Sequence, residues 1–277
     1  MKRWILPSLF VFFAAMFLVG AWLMTDYWIN AKKQQKGFDS LASIMEKSAA
    51  EAATKPVSPN AEGETEDEPN IPVYVTLTDP ETGKEIQILP EFAELYTMNS
   101  HIVGWIRIED TAVNYPVMQT PKVPNYYLYK DYDQSYSRHG CIYAKEDCDI
   151  LTPSDNITIY GHRMGDGTMF NDLHRYADKT FFEEHRYITF NTLTAHQTYE
   201  IMYVFRISST TDHPFQFQDF TDAANDEEFE AFLENCRSYS LYDTGVTAEY
   251  GDKLITLATC EYTRMNGRLV VVAKCID

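Results

Sequence analysis

The chain opens with one long apolar block and then settles into short runs of alternating polar and apolar positions. Met1-Lys2-Arg3 is basic, and Trp4 to Met24 follows as 21 residues without a charge. As a helix that block spans roughly 31 Å, against a bilayer core of about 30 Å. Pro7 falls in the first turn, where its missing N–H costs little. Trp4, Trp22, Tyr27 and Trp28 sit near the two ends, as interfacial aromatics do. A cleaved secretory signal is the competing reading, but the run is long for one and no small-x-small site follows it. The pattern predicts an uncleaved anchor. Lys2 and Arg3 on one side are balanced by Lys32, Lys33 and Lys36 on the other, so charge alone assigns no orientation.

Beyond the block, Phe38, Leu41, Ile44 and Met45 recur at helical spacing within residues 29–53, which predicts a helical stalk. Residues 54–70, TKPVSPNAEGETEDEPN, carry three prolines, a run of acids and almost nothing to bury. They are expected to be disordered. Residues 71–89 read as a short extended pair around a turn at Asp79–Gly83. Pro90, Phe92, Leu95, Tyr96 and Met98 predict a short amphipathic helix.

Strand patterns then follow closely: Val103–Ile108, Ala112–Met118, Cys141–Ala144, Ile157–Tyr160, Tyr187–Asn191, Thr198–Ser208, Leu254–Thr259 and Leu269–Ala273. A Tyr-rich loop runs up to His139. Short helices are expected at Phe170–Tyr176 and Lys179–His185, and an acidic helix at Asp226–Ser238. Many strands with few βαβ units predict a mainly β fold, a closed or nearly closed barrel with inserted helices. No internal repeat is present.

Composition narrows the function. The net charge of −18 over 277 residues, with no basic patch, excludes a nucleic-acid partner. Five cysteines, Cys141, Cys148, Cys236, Cys260 and Cys275, leave at least one unpaired in a monomer. A Cys141–Cys148 bridge competes with two reduced, buried thiols. The seven histidines are scattered with no zinc spacing, so no metal or other cofactor is expected.

The candidate chemistry lies in LITLATCEYTRMNGRLVVVAK, residues 254–274, which reads as strand, short loop, strand. Cys260 stands where the first strand runs out and Arg268 opens the second. In a hairpin-like pair the two lie side by side, as a nucleophile and an anion stabiliser would. A lone strand cysteine is ordinarily a small buried hydrophobe. What changes the reading is NITIYGHRMGDGTMF, residues 156–170, which delivers His162 to another strand end ahead of a Gly-rich loop. His162 is the candidate general acid and base. No Asp occupies an obvious third position to orient it, so backbone groups are expected to do so. Arg264 is a rival to Arg268, but only Arg268 abuts the Val-Val-Val strand.

Taken together, Tyr160-Gly161-His162, Thr256 to Cys260, and Arg268 resemble the signature of sortases, the cell-wall transpeptidases of Gram-positive bacteria. NSHIVGWIRIEDTAVNYPVMQ, the GHRMGDGTMF loop and RLVVVAK resemble class B members in particular, over roughly Pro90 to the C-terminus. The resemblance implies an eight-stranded closed barrel and a catalytic set of His162, Cys260 and Arg268. It carries substrate contacts to Leu128, Tyr160, Thr211, Phe215 and Glu261, the last also readable as a solvent-facing carboxylate. The family's Asn-x-x-Tyr-Leu pattern is shifted here: Asn125 stands one position closer to Leu128. Ala258 stands where class B members often have Ser.

The implied reaction cleaves a C-terminal sorting signal of the Asn-Pro-x-Thr-x type after its Thr, through a Cys260 thioester. The partners implied are a signal-bearing surface protein and an amine acceptor such as a peptidoglycan precursor's cross-bridge. A pilin lysine as acceptor, a hydrolytic cysteine peptidase and an inactive tethered binding module are the alternatives. The expected organisation is a cytoplasmic start and transmembrane anchor over 1–28, a stalk and acidic linker over 29–70, and an extracellular catalytic domain over 71–277, with the barrel core at about 90–277.

Overall fold

The computed structural model describes residues 5–54, 73–263 and 266–277. The chain divides into two units, one ending at Ser40 and the other beginning at Leu41. Helix α1 (Ile5–Thr54) is a single 50-residue helix. The membrane segment and stalk read separately from the sequence thus run on without a break, and no proline lies between Pro7 and Thr54 to interrupt them. From Leu9 to Ile29 its large apolar side chains stand exposed, Phe10 and Phe17 among them. It is long and apolar enough to cross a membrane. The acidic stretch 54–70 lies, from Lys55 onward, outside the described residues.

The second unit begins its sheet structure with a hairpin, β1 (Val75–Thr78) and β2 (Glu85–Ile88). The Asp79 carboxylate closes the turn by accepting from the N–H groups of Glu81 and Thr82, at 2.8 and 2.7 Å. Tyr96 on α2 (Pro90–Met98) donates to the other Asp79 oxygen, and Leu89 N–H donates to Leu193 O at 2.7 Å. The hairpin is therefore tied to the main domain.

Eight strands form a closed barrel: β3 (Ile102–Arg107), β4 (Asn114–Met118), β5 (Ile142–Ala144), β6 (Asn156–Tyr160), β7 (Tyr187–Thr192), β8 (Thr198–Ser208), β9 (Leu254–Glu261) and β10 (Gly267–Cys275). Around the barrel the order is β10, β8, β7, β3, β4, β5, β6, β9. Closure removes the sheet edges. The pairs β4–β5 and β6–β9 are parallel and the others antiparallel. This pattern positions the site. Parallel β6 and β9 bring their C-terminal ends to one mouth, and antiparallel β10 starts at that same mouth.

The apolar runs of β8 to β10 have no polar alternation because both faces are covered. Val270 and Val272 belong to an outer cluster with Phe205, Phe229, Phe232 and Leu233, while Val271, between them in sequence, points the other way and is also fully buried. Helix α4 (Asp226–Tyr239) supplies that cover through Phe229, Phe232, Leu233 and Cys236, at helical spacing. Asn225 caps it, its Oδ1 accepting from Glu228 N–H at 3.0 Å. Asp226, Glu227 and Glu228 fill the first turn, where negative charge is favoured. The stretch after the β6 loop forms a 3-10 helix at Phe170–Ala177 and α3 at Lys179–Glu184, as the pattern predicts.

Candidate active site

Cys260 and Arg268 are directly opposed across β9 and β10. Asn266, just ahead of β10, takes a left-handed φ of +51°, and its carbonyl accepts from Ser209 N–H at 3.0 Å. Arg264, the rival cation, lies outside the described residues. Arg268 is half-buried, and its Nη1 donates to Gly267 O at 3.0 Å.

His162 follows the strand that flanks Cys260 on the other side. The last parallel pair of β6 and β9 is Tyr160 with Ala258, and two residues beyond it on each strand stand His162 and Cys260. The approach is held by Gly161 N–H donating to Ala258 O at 3.2 Å and the Thr259 hydroxyl donating to Gly161 O at 2.8 Å. A Cβ on Gly161 would stand 2.4 Å from Ile142 Cδ1 and 2.7 Å from the Phe170 ring, so only glycine fits there. The sulfur, the imidazole and the guanidinium therefore belong to three neighbouring strand ends at one mouth.

A backbone group orients the imidazole, as expected. His162 Nε2 lies 2.8 Å from Leu128 O. A carbonyl only accepts, so Nε2 carries the proton and Nδ1 is the basic nitrogen of the neutral ring. Burial holds the His162 pKa below its usual value. The Leu128 carbonyl pulls the other way, and the charge of His139 adds to the lowering. The Tyr129 ring covers the imidazole at 5.5 Å between centroids.

Among the thiols, Cys141 and Cys236 are fully enclosed and burial pushes their pKa values well up. Burial also raises Cys148 to about 11, although it accepts from Thr158 N–H at 3.5 Å. Cys141 and Cys148 are not bridged. Cys260 is half-buried, and its strand position lies between that of Arg268 and the strand end that leads to His162.

The remaining predicted residues divide. Leu128 supplies the carbonyl just described. Tyr160 packs beside Tyr143, rings 5.5 Å apart, and both phenols are pushed up by burial. Asn125 accepts from the Tyr143 hydroxyl at 2.8 Å. Thr211 is exposed on the loop that leaves β8 at the mouth. Phe215 is 8% exposed and packs against Phe205, Phe232 and Tyr239 in the outer cluster. Glu261 does not face solvent. It is 4% exposed, pairs with Arg206 Nε at 3.3 Å and accepts from Thr263 N–H at 2.9 Å. Burial works against its charge, but Thr263, Arg206 and Arg163 together hold the carboxyl below its usual range. The sequence reading missed Tyr129, Tyr143, Arg206 and the buried His139–Asp166 pair, which no local spacing marks.

Residues 106–276 match the family model described as Sortase domain. The chain is 32% identical over 191 residues to Sortase B of Staphylococcus aureus, covering 68% of this chain and 76% of that protein. It is 31% identical over 192 residues to Sortase B of Listeria monocytogenes, covering 69% and 76%. The solved Staphylococcus aureus sortase B–substrate complex superposes with a TM-score of 0.71 at 25% identity, over 90% of this chain and 99% of that one. With the closed eight-stranded barrel, these similarities establish that the chain belongs to the sortase family of cysteine transpeptidases, as a class B member.

Proposed function

We propose that this enzyme is a membrane-anchored transpeptidase in which Cys260 cleaves a C-terminal sorting signal after its Thr and hands the acyl group to an amine of the cell wall. The observation that carries the reading is the convergence of Cys260, His162 and Arg268 on one barrel mouth. The Cys260 sulfur attacks the Thr carbonyl carbon, and Nδ1 of His162 takes the thiol proton. Charge collects on the carbonyl oxygen, where the permanent cation of Arg268 stabilises it. As the C–N bond breaks, His162 returns the proton to the leaving amine, and a thioester remains. An acceptor amine then attacks the thioester carbon, loses its proton to His162, and expels the thiolate to form the new amide.

Leu128, Tyr160, Thr211, Phe215 and Glu261 are the proposed substrate contacts. That the related Staphylococcus aureus sortase B was solved with substrate supports a signal-bearing surface protein as donor. A peptidoglycan precursor's cross-bridge is the proposed acceptor. The N-terminal apolar helix supports a single-pass anchor, and membership of the sortase family supports an N-terminus inside and a catalytic domain outside.

The test is mass spectrometry of the full-length protein in detergent, incubated with Asn-Pro-x-Thr-x peptides with and without an amine acceptor. A thioester on Cys260 that is resolved into an amide product is expected. An adduct on another residue, or hydrolysis alone under saturating amine, overturns the reading. Protease accessibility in intact cells tests the orientation: cleavage within 73–277 from outside is expected, and protection there overturns it.

A further inference from the structure

Two stretches distant in sequence hold His162. One is its own loop, in which Phe170 N–H donates to His162 O at 2.9 Å and Arg163 bridges to Met169. The other is residues 126–141, which bring the Leu128 carbonyl to Nε2. A buried histidine–carboxylate hydrogen bond joins the two. His139 Nε2 donates to Asp166 Oδ2 at 2.7 Å, with the side chains 6% and 2% exposed. The second Asp166 oxygen accepts from both the N–H and the hydroxyl of Thr168, at 3.1 and 2.7 Å, so the carboxylate is fixed within the His162 loop.

On the facing stretch, His139 is followed by Gly140, which lies hard against the Leu128 peptide. A Cβ at Gly140 would stand 2.4 Å from Leu128 O and 2.6 Å from Tyr127 O. Cys141 N–H donates to Tyr127 O at 3.0 Å. A shift of His139 is therefore passed through one close backbone contact to the carbonyl on which the imidazole rests.

We propose that His139 and Asp166 are a positioning pair: their buried contact locks the Leu128 carbonyl onto His162 Nε2, and so keeps Nδ1 as the base. The proposal rests on His162 being the acid–base group. Neither member touches the reacting atoms. A buried hydrogen bond to a carboxylate suits this task because it is directional and its loss leaves the buried Asp166 oxygen short of a donor. The sequence alone assigns neither residue a role, since His139 closes a Tyr-rich loop and Asp166 reads as a turn residue of the Gly-rich segment.

The experiment uses full-length protein in detergent, with histidines labelled by 15N. In the wild type, the His162 ring is expected as the Nε2–H tautomer. His139→Ala is expected to lower kcat about a hundredfold, the scale of a misplaced catalytic group, with KM within about twofold, and to give His162 a mixed tautomer signal. His139→Gln, whose amide still donates to a carboxylate, is expected to restore kcat to within about threefold of wild type. Asp166→Ala is expected to match His139→Ala, and the double variant to be no worse than either, since the two act as a unit.

An Nδ1–H tautomer in the wild type overturns the proposal, and so does unchanged kcat and tautomer in His139→Ala and Asp166→Ala. Equal failure of His139→Gln and His139→Ala, both folded, overturns it too. Should the alanine variants fail to fold, the wild-type tautomer and His139→Gln still decide. His162→Ala is the control: if it keeps transferring, the acid–base reading itself falls, whereas the wild-type tautomer reports on the pair regardless.

Discussion

The carbonyl oxygen of Leu128 sits 2.8 Å from Nε2 of His162, and the ring it holds is drawn out of water. Burial favours the neutral imidazole, so its titration midpoint is expected below the usual 6.5. At pH values just under 6.5 the unfolded chain binds this proton while the folded chain does not. Its contribution to stability is therefore complete above 6.5 and is lost as pH falls toward the folded value. NMR titration of the His162 ring checks the sign. A midpoint at or above 6.5 contradicts the burial argument.

Arg268 stands across from Cys260, and its guanidinium is tethered to Gly267 O. Arg268→Ala is expected to lower kcat by about 10²–10³, the scale of a lost oxyanion donor. Arg268→Lys is expected to recover little, because a single ammonium replaces a planar fork. Steady-state transfer kinetics with a sorting peptide measure both. Full activity in either variant removes Arg268 from the mechanism.

Glu261, next to the proposed nucleophile, is buried and compensated by Arg206 and Thr263. Arg206→Ala leaves that carboxylate short of a partner and is expected to cost about 1–3 kcal/mol of stability. The Glu261 carboxyl is held below 4.5, so its contribution is present above that value and lost as pH falls through the depressed folded value. Urea denaturation of Arg206→Ala at neutral pH gives the size, and the same measurement on wild type between pH 3 and 6 gives the direction. A wild-type stability that rises on acidification runs against it.

Gly140 and Gly161 both lie where no side chain fits. Gly140 has a φ of +58° and faces rigid backbone, so Gly140→Ala is expected to be the more damaging. Gly161→Ala crowds Phe170 and Ile142 instead, at about 1–3 kcal/mol for an overpacked site. It is expected to lower kcat as well, since His162 is the next residue. Thermal melts and transfer rates of the two variants separate the effects; wild-type behaviour in both refutes the packing argument.

Much of the scaffold was legible because its signals are local. The strand at Ile157–Tyr160, the apolar final pair and the acidic helix at Asp226 all declare themselves through periodicity and flanking turn residues. The apolar N-terminal block announces a membrane-length helix by composition alone, and the structure adds that α1 continues unbroken to Thr54. The opposition of Cys260 and Arg268 was likewise within reach, because a short connection with Asn266 and Gly267 leaves the two strands few registers.

The placing of His162 and Cys260 at neighbouring strand ends is a different matter. It depends on β6 and β9 lying parallel, although the two are separated by β7, β8 and α4 in the chain. No residue pattern within either strand encodes that neighbour; only the family's motif order hinted at it. The Leu128 carbonyl, the Arg206 guanidinium under Glu261, and the His139–Asp166 pair are more distant still from any sequence signal. A backbone oxygen has no residue identity to read, and a buried charge looks like a surface one until its partner is known. The amino-acid order by itself determined which strands and helices form and which three side chains carry the candidate chemistry. Closure of the barrel decided what stands beside them, because contacts across many residues are selected by the packing of the whole sheet rather than by any segment of it.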